Sequence, residues 1–200
     1  MTRLIIASKN AGKVSEIEKI LGTILPGWQF LSLKDLHQEI EIVEDGQTFE
    51  ENALKKAETI QKCYPDDFVL ADDSGLSVAA LNGEPGVYSA RYAGDHDDAA
   101  NRAKVLAKLA GQSQRDAAFV TVMTLVGPGR QPLVSKGELK GTIASAERGS
   151  NGFGYDSIFQ AEGSSETLAQ YSADQKNAIS HRSRALQALV KAMPAWLKED

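Results

Sequence analysis

Asp72 and Asp73 stand side by side, after the apolar run Phe68-Val69-Leu70-Ala71 and before Ser74-Gly75. The run predicts a buried strand, and the acidic string a loop at its C-terminal end, where ligands gather in open α/β sheets. Adjacent carboxylates repel each other, so a loop that buries them recruits a metal or a lysine. Hard divalent cations take oxygen ligands, and a carboxylate pair at a strand end supplies them rigidly. Alone, the string also reads as an Asx turn or helix cap, the commoner use of Asp, Ser and Gly. Glu44, in an acidic stretch ahead of a helix, is the candidate third carboxylate, whereas Asp45 suits a turn with Gly46.

Two further segments have chemical content. Ser8-Lys9-Asn10-Ala11-Gly12-Lys13 follows an apolar run, Leu4 to Ala7, and precedes Val14, Ile17, Ile20 and Leu21 at helical spacing. Such a strand–loop–helix opening aims backbone N–H groups at an anion. It is not a P-loop, because residue 7 is Ala where Gly is needed and Val14 carries no hydroxyl. Lys13 remains a point charge for phosphate, with Ser8 and Asn10 as donors; a solvated helix start explains the string equally well. In Gly149-Ser150-Asn151-Gly152-Phe153-Gly154-Tyr155-Asp156, glycines flank an aromatic, so a planar ligand can approach and stack. A glycine-rich hairpin turn is the commoner explanation of such a string. Lys176, His181 and Arg182 fall on a helix expected over Asp174 to Lys191. Cations near a helix start oppose its dipole, which hints at an anionic or polar ligand, solvated surface being the ordinary alternative.

The elements that must hold these groups are legible in outline. Thr48 and Glu51 form a capping box. Phe49, Ala53, Leu54, Ala57, Ile60 and Tyr64 then make an apolar stripe, with Asn52, Lys55 and Lys56 beside it, where one or two can face a cleft, and Pro65 as its stop. Gln29 to Leu33 predicts a strand, Asp97-Asp98 starts a helix to about Leu109, and Gly83 to Gly94 is turn-rich. Ala117 to Val126 and Leu133 to Leu139 predict two strands of an antiparallel hairpin joined by Gly127-Pro128-Gly129-Arg130. The whole is mixed α/β, and 200 residues suffice for one domain.

Composition narrows the function. A net charge of −5 argues against coating a nucleic acid, though not against a small polyanion. Cys63 is the one cysteine, and His37, His96 and His181 lie far apart, so carboxylates must hold any metal, which points to Mg2+ or Mn2+. No apolar run approaches the ~20 residues that span a bilayer, and Leu4 to Ala7 is too short for a signal core. A cytoplasmic protein with no membrane or nucleic-acid partner is expected.

Six strings occur together and in order: Ser8 to Lys13; Thr48 to Ala53 with Lys55-Lys56-Ala57; Ala71 to Leu76; Pro85-Gly86-Val87-Tyr88-Ser89-Ala90-Arg91-Tyr92; Gly152 to Asp156; and Ile179-Ser180-His181-Arg182. Over about Leu4 to Val190 the chain thereby resembles the inosine triphosphate pyrophosphatase family. The resemblance implies a single bilobed domain over residues 1–200, a two-lobed mixed sheet flanked by helices with a nucleotide cleft between the lobes. It implies a cytoplasmic homodimer that hydrolyses ITP, dITP and XTP to monophosphate and pyrophosphate with Mg2+. On this pattern the loop Ser8, Lys9, Asn10, Ala11, Gly12 and Lys13 would hold the triphosphate. Glu44 and Asp73 would bind Mg2+, Asp73 would also be the general base, and Ser74 would contact substrate. Phe153 would stack on the base, with Gly154, Tyr155 and Asp156 completing that wall, and Lys176, His181 and Arg182 would read the 6-oxo edge. Asn52, Lys55 and Asp72 would have supporting parts, that of Asp72 left open.

Three positions depart from the pattern. Ser157 stands where Pro is common, an exchange expected to loosen the loop. Gln170-Tyr171 replaces Glu-Leu, which withdraws any role of that acid, and Lys9 replaces a small residue, either adding a phosphate contact or facing solvent. A non-catalytic purine-nucleotide-binding regulator on the same scaffold is the alternative, disfavoured by the intact carboxylate set; a P-loop kinase is disfavoured by the first loop.

Overall fold

The structure is a computed structural model; it describes residues 1–9, 11–36, 38–95 and 97–198, with the backbone alone for Ala11, Gly12 and Glu16. Asn10, His37 and His96 lie outside the described residues.

A strand that is apolar at every position has to be covered on both faces. β1 (Arg3–Ile6) is of this kind from Leu4 on, its first residue Arg3 being exposed: Leu4 and Ile6 pack in one buried cluster, and Ile5, with Ala7 just beyond, in another. Against the first cluster α1 (Ala11–Leu21) and α5 (His181–Trp196) bring Ile17, Leu21, Leu186, Leu189 and Met193. Against the second, α2 (Phe49–Cys63) sets Ala57 and Ile60 on Val69 and Ala71 of β3 (Phe68–Val78). β2 (Gln29–Ser32) and β3 both pair parallel with β1. With β4 (Asp116–Val126), β5 (Leu133–Ile143) and β6 (Phe159–Ala161), the strand order is β2-β1-β3-β4-β5-β6, and β6 pairs antiparallel with β5. The fold is the expected α/β one, a mixed sheet with flanking helices.

The chain divides into two compact units. The first comprises Met1–Asp73, Val122–Lys136 and Ala185–Asp200, the second Ser74–Thr121 and Gly137–Arg184. The second has its own core, in which Val105 and Leu109 from the region of α3 (Asp98–Lys108) meet Leu76, Phe119, Ile158 and Phe159. The rings of Phe119 and Phe159 lie 4.6 Å apart between centroids. α4 (Ala173–Ile179) belongs to this unit as well.

Three expectations need correction. Asp72-Asp73-Ser74-Gly75 is not a loop: β3 runs on to Val78, because Leu76 and Val78 continue the buried pattern beyond the polar residues. The single helix expected over Asp174 to Lys191 is two, α4 and α5. Ser180 adopts an extended backbone between them, and its Oγ accepts from Ser183 N at 3.1 Å, starting α5 afresh. Lys176 therefore sits in the last turn of α4, where a cation suits the dipole, and only His181 and Arg182 stand at a helix start. The third correction concerns Glu51. Thr48 caps α2 by accepting from Glu51 N at 3.1 Å, but the Glu51 carboxylate reaches Gln47 N at 2.7 Å, one residue before the cap.

In the second unit Tyr92, buried under Lys104 (Nζ 4.1 Å from the ring centroid), donates its hydroxyl to Glu84 at 2.6 Å, and Lys108 donates to the same oxygen at 2.5 Å. The Lys108 hydrogen bond, followed by that of Tyr92, holds the Glu84 carboxyl below its ordinary value. A lowered carboxyl contributes stability that is present above its unfolded value of about 4.3 and lost as pH falls through the folded one. Glu84→Gln is therefore expected to melt below the wild type at pH 7, with the difference closing as pH falls below the unfolded value of about 4.3. A gap that stays constant over that fall in thermal melts would contradict this.

Candidate active site

Buried carboxylates next to each other need compensation, and in the first unit α2 and α1 provide it. Asp72 is 7% exposed, and both its carboxylate oxygens bond the ammonium of Lys13, which lies in the first turn of α1. Asp73, the next residue, accepts from Asn52 Nδ2 at 3.0 Å. Asn52 is 1% exposed, and its Oδ1 accepts from Gly46 N at 2.7 Å. One helical turn on, Lys56 ion-pairs with Glu44 and donates to Asp72 O at 3.0 Å. Asn52 and Lys56 are thus an i, i+4 pair on one face of α2. Each joins the loop Glu44–Gly46 to the Asp72–Asp73 segment of β3.

Gly46 is glycine because of this approach: a Cβ there would come within 2.7 Å of Asn52 Oδ1 and 2.8 Å of Glu51 Cβ. Lys55, on a neighbouring face, donates to Asp45 at 2.6 Å on the surface and holds that carboxyl below its ordinary value. Lys55 is thereby committed to Asp45. Lys9 is exposed, and Ser8 N closes a short turn onto Ile6 O at 2.7 Å. Asn10 lies outside the described residues, and for Ala11 and Gly12 only their place at the start of α1 is described.

The group holds three carboxylates, Glu44, Asp72 and Asp73, against two ammonium ions, Lys13 and Lys56. All its donor atoms toward a metal are oxygens. Among the described residues no three His, Cys, Asp or Glu side chains converge into a closed ligand cage. Mg2+ ordinarily takes one or two carboxylates together with substrate phosphates rather than such a cage. Glu44, held by Lys56, and Asp73, held by Asn52, are the two carboxylates that would meet that demand.

A separate cavity of about 200 Å3 lies wholly within the second unit. Ser74 and Gly75, which follow Asp73 along β3, line it, and so do Phe153, Gly154, Tyr155, Asp156, Lys176, His181 and Arg182. All the residues expected to face the base thus come together there. Phe153 is 61% exposed, with Lys176 Nζ 4.4 Å and Arg182 Cζ 6.0 Å from its ring centroid. Asp156, 3% exposed, ion-pairs with Lys176 and accepts from Phe153 N at 2.9 Å. Gly152, at φ +77°, leaves space for that carboxylate, since a Cβ would meet Asp156 Oδ2 at 2.1 Å.

Tyr155 donates its hydroxyl to Ser89 O at 2.7 Å, and burial pushes its pKa well up, so it serves as a neutral wall. His181 stacks on Phe119, the planes 11° apart. Arg182 Nε is buried with no hydrogen-bond partner among the described residues, an arrangement that costs stability unless a ligand bonds to it. Ser157 has a partner of its own, its Oγ donating to Glu147 at 2.9 Å. Gln170 keeps a structural role, its Oε1 accepting from Thr167 N at 2.9 Å, and Tyr171 donates to Ser164 Oγ at 2.9 Å.

Comparison with known proteins settles the family. The Ham1 family model matches residues 4–192. The chain belongs to the Ham1 family. It is 56% identical over 200 residues, 99% of its length and 100% of the relative, to the dITP/XTP pyrophosphatase of Leuconostoc mesenteroides subsp. mesenteroides. To the dITP/XTP pyrophosphatase of Staphylococcus aureus it is 44% identical, over 94% of this chain and 95% of the relative. The solved structure of the Staphylococcus aureus Ham1 protein superposes with a TM-score of 0.90 at 42% identity, covering 97% of this chain and 99% of that one. A HAM1 protein from Coxiella burnetii gives 0.89 at 40%, covering 98% and 100%.

Lys56 is the site residue whose part the sequence shows least: it falls beside the apolar stripe with Asn52 and Lys55, and the resemblance gives a supporting part to those two alone. Truncating Asn52 to Ala leaves Gly46 N–H and the Asp73 carboxylate without their shared partner, and is expected to lower the unfolding free energy by about 2 kcal/mol in urea titration. A loss below about 0.5 kcal/mol would show that the bridge is not what joins the two segments.

Proposed function

We propose that this chain hydrolyses the non-standard purine nucleoside triphosphates ITP, dITP and XTP to the monophosphate and pyrophosphate. The observation that carries the reading is the match, over nearly the whole of both chains, with relatives named dITP/XTP pyrophosphatase. The two groups of side chains give it a chemical form. The purine is assigned to the cavity of the second unit, against Phe153 and within reach of Lys176, His181 and Arg182. A 6-oxo group can accept from the buried Arg182 Nε, whereas a 6-amino group cannot. Leaving a buried donor unpaired costs orders of magnitude in specificity.

The triphosphate is assigned to Lys13 and its loop, with Ser74 contacting substrate. Lys13 is held in place by Asp72, and its charge offsets the negative charge that gathers on the phosphorus oxygens as water attacks. Asp73, oriented by Asn52, accepts the proton of that water. Glu44 and Asp73 would hold Mg2+, which when bound neutralises phosphate charge and lowers the pKa of water. The oxygen-only donor set supports this choice. We further read the protein as a cytoplasmic homodimer acting without nucleic acid or membrane. In support, its net charge is −5, and no helix among the described residues is long and apolar enough to cross a membrane.

The test is an assay of the purified protein with Mg2+ and ITP, dITP, XTP, GTP or ATP, with pyrophosphate measured apart from orthophosphate. Pyrophosphate from the first three, with ATP far slower, is expected; orthophosphate, or equal rates for ATP and ITP, would overturn the reading. Asp73→Asn is expected to lower kcat by about 10²-fold or more while nucleotide binding survives. Wild-type turnover in that variant would remove Asp73 from the role of base.

A further inference from the structure

An exposed ring on a glycine-rich loop is a poor stacking platform unless the backbone beneath it is fixed, because glycines at positive φ leave many conformers open. Gly152 and Gly154, on either side of Phe153, have φ of +77° and +59°. Yet the backbone here is held at three successive points. Phe153 N–H donates to Asp156. Gly154 N–H donates to Asp98 Oδ2 at 2.8 Å, and Gly154 O accepts from Arg102 Nη1 at 2.9 Å. We propose that Asp98 and Arg102 are positioning residues for base stacking, clamping the Gly154 peptide from both sides so that the Phe153 ring stands ready before a nucleotide arrives.

The two residues are an i, i+4 pair at the start of α3, so one helix face offers an acceptor and a donor to a single residue. Asp98 is not needed as the helix cap, since Asp97 accepts from Ala100 N at 2.9 Å. Arg102 is steadied from its other side: its Nε donates to Glu147 at 2.9 Å, and Glu147 also accepts from Ser157 Oγ. Gly154, Arg102, Glu147 and Ser157 therefore close a polar ring where the loop leaves and rejoins the core. The hydroxyl of Ser157 does by hydrogen bonding what a rigid residue there would do by restricting the chain. Asp98 also lines the cavity beside Phe153, so its carboxylate and the ring belong to one wall.

The proposal rests on the reading of Phe153 as the base platform, and its test separates the two. Asp98→Ala, Asp98→Asn and Phe153→Ala are compared with wild type in dITP kinetics and, without substrate, in amide hydrogen exchange of Phe153 and Gly154. Asp98→Ala is expected to raise KM about tenfold with kcat within about twofold, the loss of one hydrogen bond to a charged group. Asp98→Asn, whose amide oxygen can still accept from Gly154, is expected to restore KM to within about twofold of wild type. Exchange at Gly154 should be faster in the Ala variant than in the Asn variant or the wild type.

A raised KM in Phe153→Ala with an unchanged KM in Asp98→Ala would overturn the proposal and leave the functional reading intact. So would a fall in kcat and melting temperature at constant KM, or an Asn variant no better than Ala. The exchange arm needs no turnover. Unchanged Gly154 exchange in Asp98→Ala therefore overturns the clamp even if the wild-type chain released no pyrophosphate, an outcome that would sink the functional reading by itself.

Discussion

Asp72 and Asp73 put two carboxylates on consecutive residues of a strand, one of them almost wholly buried, and the first unit is arranged around making that tolerable. Unpaired, such charges would neutralise or destabilise the fold, because burial penalises the ionised form and each opposes the other. The remedy comes from both helices flanking β1. α1 delivers Lys13 to Asp72, and α2 delivers Asn52 to Asp73 and Lys56 to the Asp72 carbonyl and Glu44. The same bonds that relieve the repulsion fix where the acids point. A carboxylate whose orientation is imposed by a buried amide is prepared to take a proton from a particular direction, which is what a general base requires. With Asp73 as the proposed base, stability and reactivity at this end would rest on one set of contacts.

The second unit solves a different problem, how to offer a flat apolar surface to a ligand without letting the surface collapse. Phe153 is left exposed, and the polar groups of its neighbours Asp156 and Tyr155 are bonded elsewhere. Asp156 is engaged by Lys176 and by the Phe153 amide, and the Tyr155 hydroxyl by Ser89. Two cations lie against the ring, Lys176 nearer than Arg182. Cations over an aromatic face are attracted to it, so they stay near the place where a purine oxygen would come. A cavity of about 200 Å3 is smaller than the ~300 Å3 at which pockets for whole small molecules begin, in keeping with a site for the base alone.

Much of this was legible in the sequence wherever the signal was local. Thr48 announced the start of α2 and Leu4 to Ala7 a buried strand, whereas the glycines around Phe153 read more readily as a hairpin turn than as a loop open to a planar ligand. Six short strings in order pointed to the family. What escaped was decided by contacts distant along the chain. Asp72-Asp73-Ser74-Gly75 looks like a turn because each residue favours one, but Leu76 and Val78 draw the strand onward into the second core. Ser180 reads as an ordinary helical residue until its hydroxyl is seen to cap α5. Asp98 and Arg102 look like solvated positions on the exposed face of a helix, and their partner lies more than fifty residues away. The departures at Ser157 and Gln170 looked like losses, yet each side chain has a definite partner that only the folded chain supplies.

On the proposed function, water activated at Asp73 attacks the α-phosphorus of a purine nucleoside triphosphate. Hydrolysis of dITP in oxygen-18 water under single-turnover conditions, with mass spectrometry of both products, tests this most directly. One labelled oxygen is expected in the nucleoside monophosphate and none in the pyrophosphate. Label in the pyrophosphate, or in released orthophosphate, would place the attack elsewhere on the phosphate chain and contradict it.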